Sequence, residues 1–348
     1  MTDELVNVSF ESEWMNLAPW VDRPDIDLDS FANELGISAE IISLLQSWRR
    51  DGFVIIEKGV DESDIDKFSS ELDQFFLNFS DYVISMEVRG RQTWSRAEHS
   101  SIVSEVGVKF NNLHVASGFA GSLCLSPKII RFLSSIFLCP PVPMQSLTFI
   151  KGSQQRTHID FPYVNRQRRL PQMVAAWIAL EDVHEESGPL AYFKGGHLPT
   201  LTGFFDWGNG NLTSVAGSNK RNSNDFADYL ESKMKEAKLA PVMFLPKKGD
   251  VLIWHANLPH LGLPIRNVDL TRRSFVTHYT GLFDYPERWV SASDCDSAGY
   301  SKNGGLIFEY PYDQGKKNNK FDSWGQIETD QAGFRYWLSE YRNRLQER

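Results

Sequence analysis

The sequence predicts a mainly β protein: a double-stranded β-domain with a layer of helices on its N-terminal side. Three observations carry that prediction. The middle of the chain holds MQSLTFIKG, MVAAWIALEDV, PLAYFKGG, PVMFLPKKGDVLIWH and RRSFVTHYTGLF. These are short runs rich in β-branched and aromatic residues, separated by Gly, Pro and Asp, the pattern of a sandwich or barrel. The N-terminal third instead spaces its apolar residues at helical intervals. Aromatic residues make up 13% of the chain, enough to fill a β core or to line a pocket for an organic ligand.

The elements follow in order. Residues 1–37 are polar with scattered Trp and Pro and are expected to form an extension. Within them DIDLDS sets Asp25, Asp27 and Asp29 at alternate positions. The Gly and Glu of a calcium loop are missing, so no calcium site is expected. SAEIISLLQSWRR predicts an amphipathic helix with Ser38 as its N-cap and Gly52 as its stop. FVII follows as a short buried strand, and DESDIDKFSSELDQFF as a second amphipathic helix. PKIIRFLSSIF, residues 127–137, predicts another, with Pro127 in its first turn. Between two of the β runs lies a polar, Gly/Asn-rich insertion at about 201–240, with a helix at 223–237. Long polar segments beside a site commonly act as lids, and this one is expected to. Beyond Ser293 the chain is polar again; GKKNNK is expected as an exposed loop and GFRYWLSEYRNRLQER as a helix. The expected division is an extension (1–37), one large domain (38–292) and a C-terminal extension (293–348), with no linker demanding a second domain.

Charge and cysteines narrow the function classes. Thirty-six basic against 45 acidic residues give a net charge of −9, which disfavours nucleic-acid binding, because phosphate contacts need a positive face. Cys124, Cys139 and Cys295 are odd in number and match no zinc or redox spacing. A disulfide framework is not expected, and a reducing, cytoplasmic compartment is the simpler expectation. The N-terminus MTDELVNVSFESEW has no apolar core, and no run of about 18 apolar residues occurs, so neither a signal peptide nor a membrane span is expected.

Eight histidines are present, and one grouping carries chemistry: THIDFPY, with His158 and Asp160. Positions i and i+2 of a strand share a face, so an imidazole and a carboxylate converge. With a second, distant His they make a 2-His-1-carboxylate triad, suited to non-haem Fe(II) with open coordination positions. GDVLIWHANLPHLGLPIRNVDLTRRSFVTHY offers two such histidines, His255 and His260. Arg272 and Ser274 in the same segment share one strand face and suit a carboxylate, the guanidinium as a fork and the hydroxyl as a further donor. Two basic clusters stand out in an acidic chain: Arg166, Arg168 and Arg169 in NRQRRL, and Arg89, Arg91 and Arg96 in RGRQTWSR. They point to an anionic substrate.

Together these segments resemble the phytanoyl-CoA dioxygenase family of Fe(II)/2-oxoglutarate oxygenases, which includes the ectoine hydroxylases. The resemblance spans about 45–285 in four ordered blocks: WRRDGFVIIEKGVDESDIDKF, QSLTFIKGSQQRTHIDFPY, WIALEDVHEESGPLAYFKGGH and GDVLIWHANLPHLGLPIRN…RRSFVTHY. It implies a double-stranded β-helix, the jelly-roll or cupin-like core. His158 and Asp160 match the proximal metal ligands and His260 the distal one, while His255 matches an earlier, structural His. Arg272 matches the Arg that pairs with the far carboxylate of 2-oxoglutarate, with Ser274 beside it; a one-residue register slip would put Arg273 there instead. Gln145 matches a Gln that contacts 2-oxoglutarate in ectoine hydroxylases, and Trp177 a Trp lining the cosubstrate pocket. There are departures: Lys194-Gly195-Gly196-His197 replaces Pro-Gly-Ser-His, Leu261 replaces a Gly after the distal His, and Lys151-Gly152 replaces Lys-Pro.

The resemblance implies Fe(II) as cofactor and 2-oxoglutarate and O2 as cosubstrates, with succinate and CO2 released. A carboxylate at Asp160 favours hydroxylation over halogenation. The expected substrate is a small, anionic organic metabolite, with Arg168, Arg169 and Tyr163 as candidate substrate residues and a monomer or homodimer as the working form. The competing expectations are the same chemistry on a protein or glycan, and a non-catalytic protein on this fold. A metal-dependent isomerase is a third, and it would not need Arg272 and Ser274.

Overall fold

A computed structural model of the chain describes residues 17–88, 90–95, 103–160, 162–164, 169, 172–198, 223–291, 299–309 and 320–346. The strands are β1 Phe53–Ile56, β2 Ser85–Val88, β3 Arg91–Trp94, β4 Lys109–Asn111, β5 Pro141–Phe149, β6 Val174–Ala179, β7 Leu190–Tyr192, β8 Val242–Met243, β9 Val251–His255, β10 His260–Gly262, β11 Ser274–Gly281, β12 Gly299–Lys302 and β13 Gly305–Phe308. The large sheet has the order β1-β9-β6-β11-β5-β4-β2-β3, the small one β10-β7-β8, and β12 and β13 pair as a hairpin. Every pairing is antiparallel.

The central strands bury both faces, and their alternation divides two cores. On β6, Val174, Ala176 and Ile178 join the large core, and Ala175, Trp177 and Ala179 a second, smaller one. On β9, Val251 and Ile253 face the first, Leu252 and Trp254 the second. On β11, Phe275 and Tyr279 face the first and Val276 the second. The small core also takes Leu190 and Tyr192 from the small sheet and Phe244 from just after β8, so it lies between the sheets of the jelly roll. A strand buried on both sides carries a continuous apolar run, as MVAAWIA does.

The helices are α1 Leu28–Glu34, α2 Ala39–Asp51, α3 Glu62–Leu77, α4 Gly118–Cys124, α5 Pro127–Phe137, α6 Ser223–Glu236, α7 Glu287–Ser291 and α8 Gln331–Gln346. α2 buries Ile41, Ile42, Leu45 and Trp48 on one stripe, and α3 buries Ile65, Phe68, Leu72 and Phe75. Burial of each such side chain contributes about 1.5–3 kcal/mol, which ties both helices to the back of the large sheet. Gly52 ends α2 in the left-handed region, φ 83°, where a Cβ would also run into the His197 ring. Ser38 occupies the N-cap position, but its hydroxyl accepts from Arg131 instead of a helix N–H. Pro127 opens α5 as expected.

The flanks differ from the expectation of plain polar extensions. Asp27 of DIDLDS caps α1, its Oδ1 accepting from Ser30 N at 2.7 Å, and Asp25 pairs with Arg23. Trp20, Leu28 and Ala32 at one end, and Phe334, Leu338 and Tyr341 at the other, belong to the large core. Strands β2 to β4 and the β12–β13 hairpin carried too little periodicity in three or four residues to be expected. All of GKKNNK but Lys320, and most of the 201–240 insertion, lie outside the described residues, but α6 is seated in the core through Phe226, Ala227, Leu230 and Met234. Among the described residues no helix is long and apolar enough to cross a membrane.

Candidate metal centre and pocket

His158 and Asp160 follow β5 in extended chain that pairs with the strand carrying the distal His. His158 N donates to His260 O and His260 N to His158 O, both at 2.9 Å, an isolated antiparallel bridge. Asp160 N then donates to Ala256 O at 3.1 Å, so the segment makes a bridge and a turn instead of a full strand. This bracket brings the two imidazoles together, with ring centroids 4.1 Å apart. One ligand atom from each of His158, Asp160 and His260 lies within 4.8 Å of the others.

Hydrogen bonds set the orientation of all three. His158 Nδ1 lies 2.8 Å from Arg156 O, and His260 Nδ1 lies 3.0 Å from Leu258 O. A carbonyl only accepts, so each Nδ1 carries a proton and Nε2 is the nitrogen turned towards a metal. Both Nε2 atoms face Asp160 Oδ1, at 3.8 and 3.6 Å. The other carboxylate oxygen, Oδ2, accepts from Trp254 Nε1 at 2.6 Å and lies 3.6 Å from His278 Nε2. Burial, reinforced by His260, pushes the His158 imidazole down to about 3, so it is neutral at ordinary pH. Burial opposes the charge on Asp160, but His260, His278 and His158 outweigh it and hold the carboxyl below its usual range. Two imidazoles presenting Nε2 and one carboxylate on the same side of a point fit Fe(II) with positions left open for other ligands.

The centre opens into a cavity lined by Leu147, Phe149, Trp177, Leu190 and Val276. Arg272 lies in its wall, 2% exposed, between the rings of Phe149 and Trp177 at 5.6 and 5.7 Å. Its bonds to Gly188 O and Ser274 Oγ are long, 3.4 and 3.5 Å, and its Nε makes none. Burial pushes its guanidinium down to about 10. A buried cation without a close carboxylate is costly, and an anionic ligand end would complete it. Arg273 points the other way: its Nη1 pairs with Asp73 at 2.9 Å and its backbone N donates to Glu181. Strand alternation puts Arg272, Ser274, Val276 and His278 on the cavity side of β11 and its N-terminal approach, and Arg273 on the other. Trp177 lines the cavity, its Nε1 without a hydrogen bond, and Gln145 lies on the same side of β5 as Leu147 and Phe149, opposite His278.

Other candidates fall elsewhere. His255 is not at the centre: its Nδ1 accepts from Asn257 N, and its Nε2 faces Asp22 at 3.4 Å. Arg169 is a correction to the expectation of a free cation for an anionic substrate. Its guanidinium makes two 2.6 Å bonds to Asp284, a buried carboxylate that needs a counter-charge. Arg89, Arg96, Arg166 and Arg168 lie outside the described residues. Tyr163 is half exposed, its ring edge-on to that of His158 at 6.0 Å. Arg156 pairs with Asp228 and Glu231 of α6, tying that helix to the segment that carries His158. Trp254 and His278 went unnoticed in the sequence. The alternation that placed Arg272 and Ser274 on one face was a usable signal for His278; nothing local pointed to Trp254.

Comparison with known proteins agrees with this geometry. The family model for phytanoyl-CoA dioxygenase (PhyH) matches residues 48–274. A phytanoyl-CoA dioxygenase domain-containing protein 1 homolog from Caenorhabditis briggsae is 20% identical over 275 residues, 68% of this chain and 89% of its own length. Among solved structures, the epimerase SnoN in complex with Fe3+, alpha ketoglutarate and nogalamycin RO is 16% identical with a TM-score of 0.51, covering 78% of this chain and 97% of its own. EctD from S. alaskensis with bound Fe is 15% identical with a TM-score of 0.50, covering 72% and 80%. At these identities the two structures speak to the fold. With the family model over most of the chain and a His-Asp-His centre inside a jelly roll, the chain belongs to the phytanoyl-CoA dioxygenase family of Fe(II)/2-oxoglutarate-dependent oxygenases.

Proposed function

We propose that the chain hydroxylates a small organic substrate, with His158, Asp160 and His260 as the Fe(II) ligands and Arg272 as the clamp for the far carboxylate of 2-oxoglutarate. The observation that carries this reading is the convergence of the three ligand atoms within 4.8 Å in the wall of a cavity that also holds a buried guanidinium without an ion-pair partner among the described residues. In this reading the catalytic unit spans residues 38–292, with 1–37 and 293–348 as flanking extensions.

Bound Fe(II), 2-oxoglutarate and O2 supply the oxidising chemistry, with succinate and CO2 as the cosubstrate's products. The protein's part is positional. His158 and His260 present Nε2 because main-chain carbonyls hold their Nδ1 protons. Asp160 stays ionised and adds the one negative charge. In this reading Arg272 and Ser274 receive the carboxylate at the far end, with Gln145 on the β5 face that carries Leu147 and Phe149. Trp177, Phe149 and Val276 close the cavity against water, which strengthens each of these polar contacts. Tyr163, half exposed beside His158, is the candidate substrate contact.

The test is an anaerobic titration of the apoprotein with Fe(II) and then 2-oxoglutarate, following the weak visible metal-to-ligand charge-transfer band. The band is expected in the wild type and absent in His260→Ala. Fe(II) binding without a band would overturn chelation by 2-oxoglutarate, and with it the oxygenase assignment of these residues.

A further inference from the structure

The outward-facing atom of each candidate ligand is held, and the three holders differ in kind. His158 and His260 give their Nδ1 protons to the main-chain carbonyls of Arg156 and Leu258. Any residue at those positions supplies the same carbonyl. Asp160 alone is held by a side chain: Trp254 Nε1 donates to its Oδ2 at 2.6 Å. His278 Nε2 is 3.6 Å from the same oxygen, too long for a hydrogen bond. The oxygen left over, Oδ1, is the one that faces both imidazoles.

A carboxylate offers two equivalent oxygens about a broad terminal torsion. With neither oxygen held, Asp160 is free to present either one, or both, to an ion. An indole N–H only donates, so it distinguishes the two oxygens permanently. Trp254 is well placed to do so. It is 2% exposed on β9, in register with Phe53 on one side and Ala175 on the other, and its ring sits 4.9 Å from that of His260. Trp177, the other indole in the cavity wall, makes no hydrogen bond through its Nε1, so this use of an indole is particular to position 254.

We infer that Trp254 is a positioning residue of the iron centre: its N–H commits Asp160 to one-oxygen ligation through Oδ1 and prevents it from spanning the ion with both oxygens. This rests on the ligand assignment proposed above.

Two variants separate the N–H from the bulk of the ring. Trp254→Phe keeps an aromatic ring against His260 and removes the donor. Trp254→His keeps the donor, because an imidazole overlays the five-membered part of an indole and its Nε2 falls where the indole Nε1 was. The measurements are anaerobic Fe(II) affinity by calorimetry, the position of the charge-transfer band with 2-oxoglutarate, and the melting temperature of each apoprotein. Trp254→Phe is expected to bind Fe(II) about ten- to a hundredfold more weakly, with a shifted band, and Trp254→His to stay within about threefold of wild type. Wild-type affinity and band in Trp254→Phe would overturn the inference. So would equal losses in both variants, which would trace the effect to packing. If Trp254→Phe does not fold, Trp254→His decides alone: retained affinity supports the inference and a loss of about tenfold or more overturns it. A wild-type protein that binds no Fe(II) overturns the ligand assignment, and the inference with it; the wild-type titration makes that failure recognisable.

Discussion

Replacing Arg272 by Met is expected to weaken 2-oxoglutarate binding severely while leaving the apoprotein no less stable. The guanidinium is 2% exposed, and its protein bonds are only the two long ones to Gly188 O and Ser274 Oγ. Its fall from 12.5 to about 10 through burial corresponds to about 3 kcal/mol acting against the charge in the folded chain. Removing the cation recovers that penalty and forfeits stacking on Phe149 and Trp177 worth about 1–2 kcal/mol, so stability should hold or rise. Met fills a comparable apolar shape between the two rings. The ligand experiences the reverse. Losing one partner of a buried carboxylate–guanidinium pair costs about 3–5 kcal/mol, a dissociation constant raised roughly a hundredfold to a few thousandfold. Anaerobic titration of the Fe(II)-loaded variant with 2-oxoglutarate gives the affinity, and denaturant unfolding of the apoprotein gives the stability. An unchanged affinity would remove Arg272 from the cosubstrate site. A loss of more than about 2 kcal/mol in apoprotein stability would show that the cation serves the fold, refuting the reasoning from its burial.

Arg169→Met should lower stability by about 2 kcal/mol, because Asp284 is left buried without its two charged donors, while 2-oxoglutarate affinity stays at the wild-type value. Urea unfolding and the same titration check both halves; unchanged stability would mean the pair is dispensable. Burial pushes the thiols of Cys124 and Cys139 up to about 12 and about 11. Iodoacetamide at pH 8 should therefore leave both unmodified in the native protein and label both after unfolding, read by peptide mass spectrometry. Burial also raises Glu71, against the hydroxyls of Ser117 and Ser323 that donate to it. The folded chain thus favours its protonated form. Its contribution to stability is fully present below about pH 4.5, the unfolded value, and is lost as pH rises through the folded-state value. Glu71→Gln, which stays neutral, should lose less stability than wild type between pH 4.5 and 7; identical urea midpoints shifts across that range would contradict this.

Much of the fold and part of the site were legible in the chain. Strands β5, β6, β9 and β11 and helices α2, α3, α5 and α8 appeared as runs because burial writes a period of two or 3.6 into a few consecutive residues. His158 with Asp160, and Arg272 with Ser274, were legible for the same reason: each pair is two residues apart, so local geometry alone puts it on one face. Elements of three or four residues, such as β3 and β4, carry too few positions for a period to show. Arg169 looked like a free cation because its partner, Asp284, lies 115 positions away.

The sequence by itself determined which short segments can carry a metal ligand or a carboxylate clamp, since those pairings depend only on the alternation of a single strand. Tertiary structure decided which of them meet. The turn after β9 leaves His255 facing Asp22 and returns His260 to pair with His158. The register of β11 sends Arg272 inward and Arg273 to Asp73. The orientation of Asp160 depends on Trp254, 94 residues further along, because β9 lies against the segment that carries the carboxylate. Contacts of this kind arise from strand order and sheet register, and no local period in a chain records them.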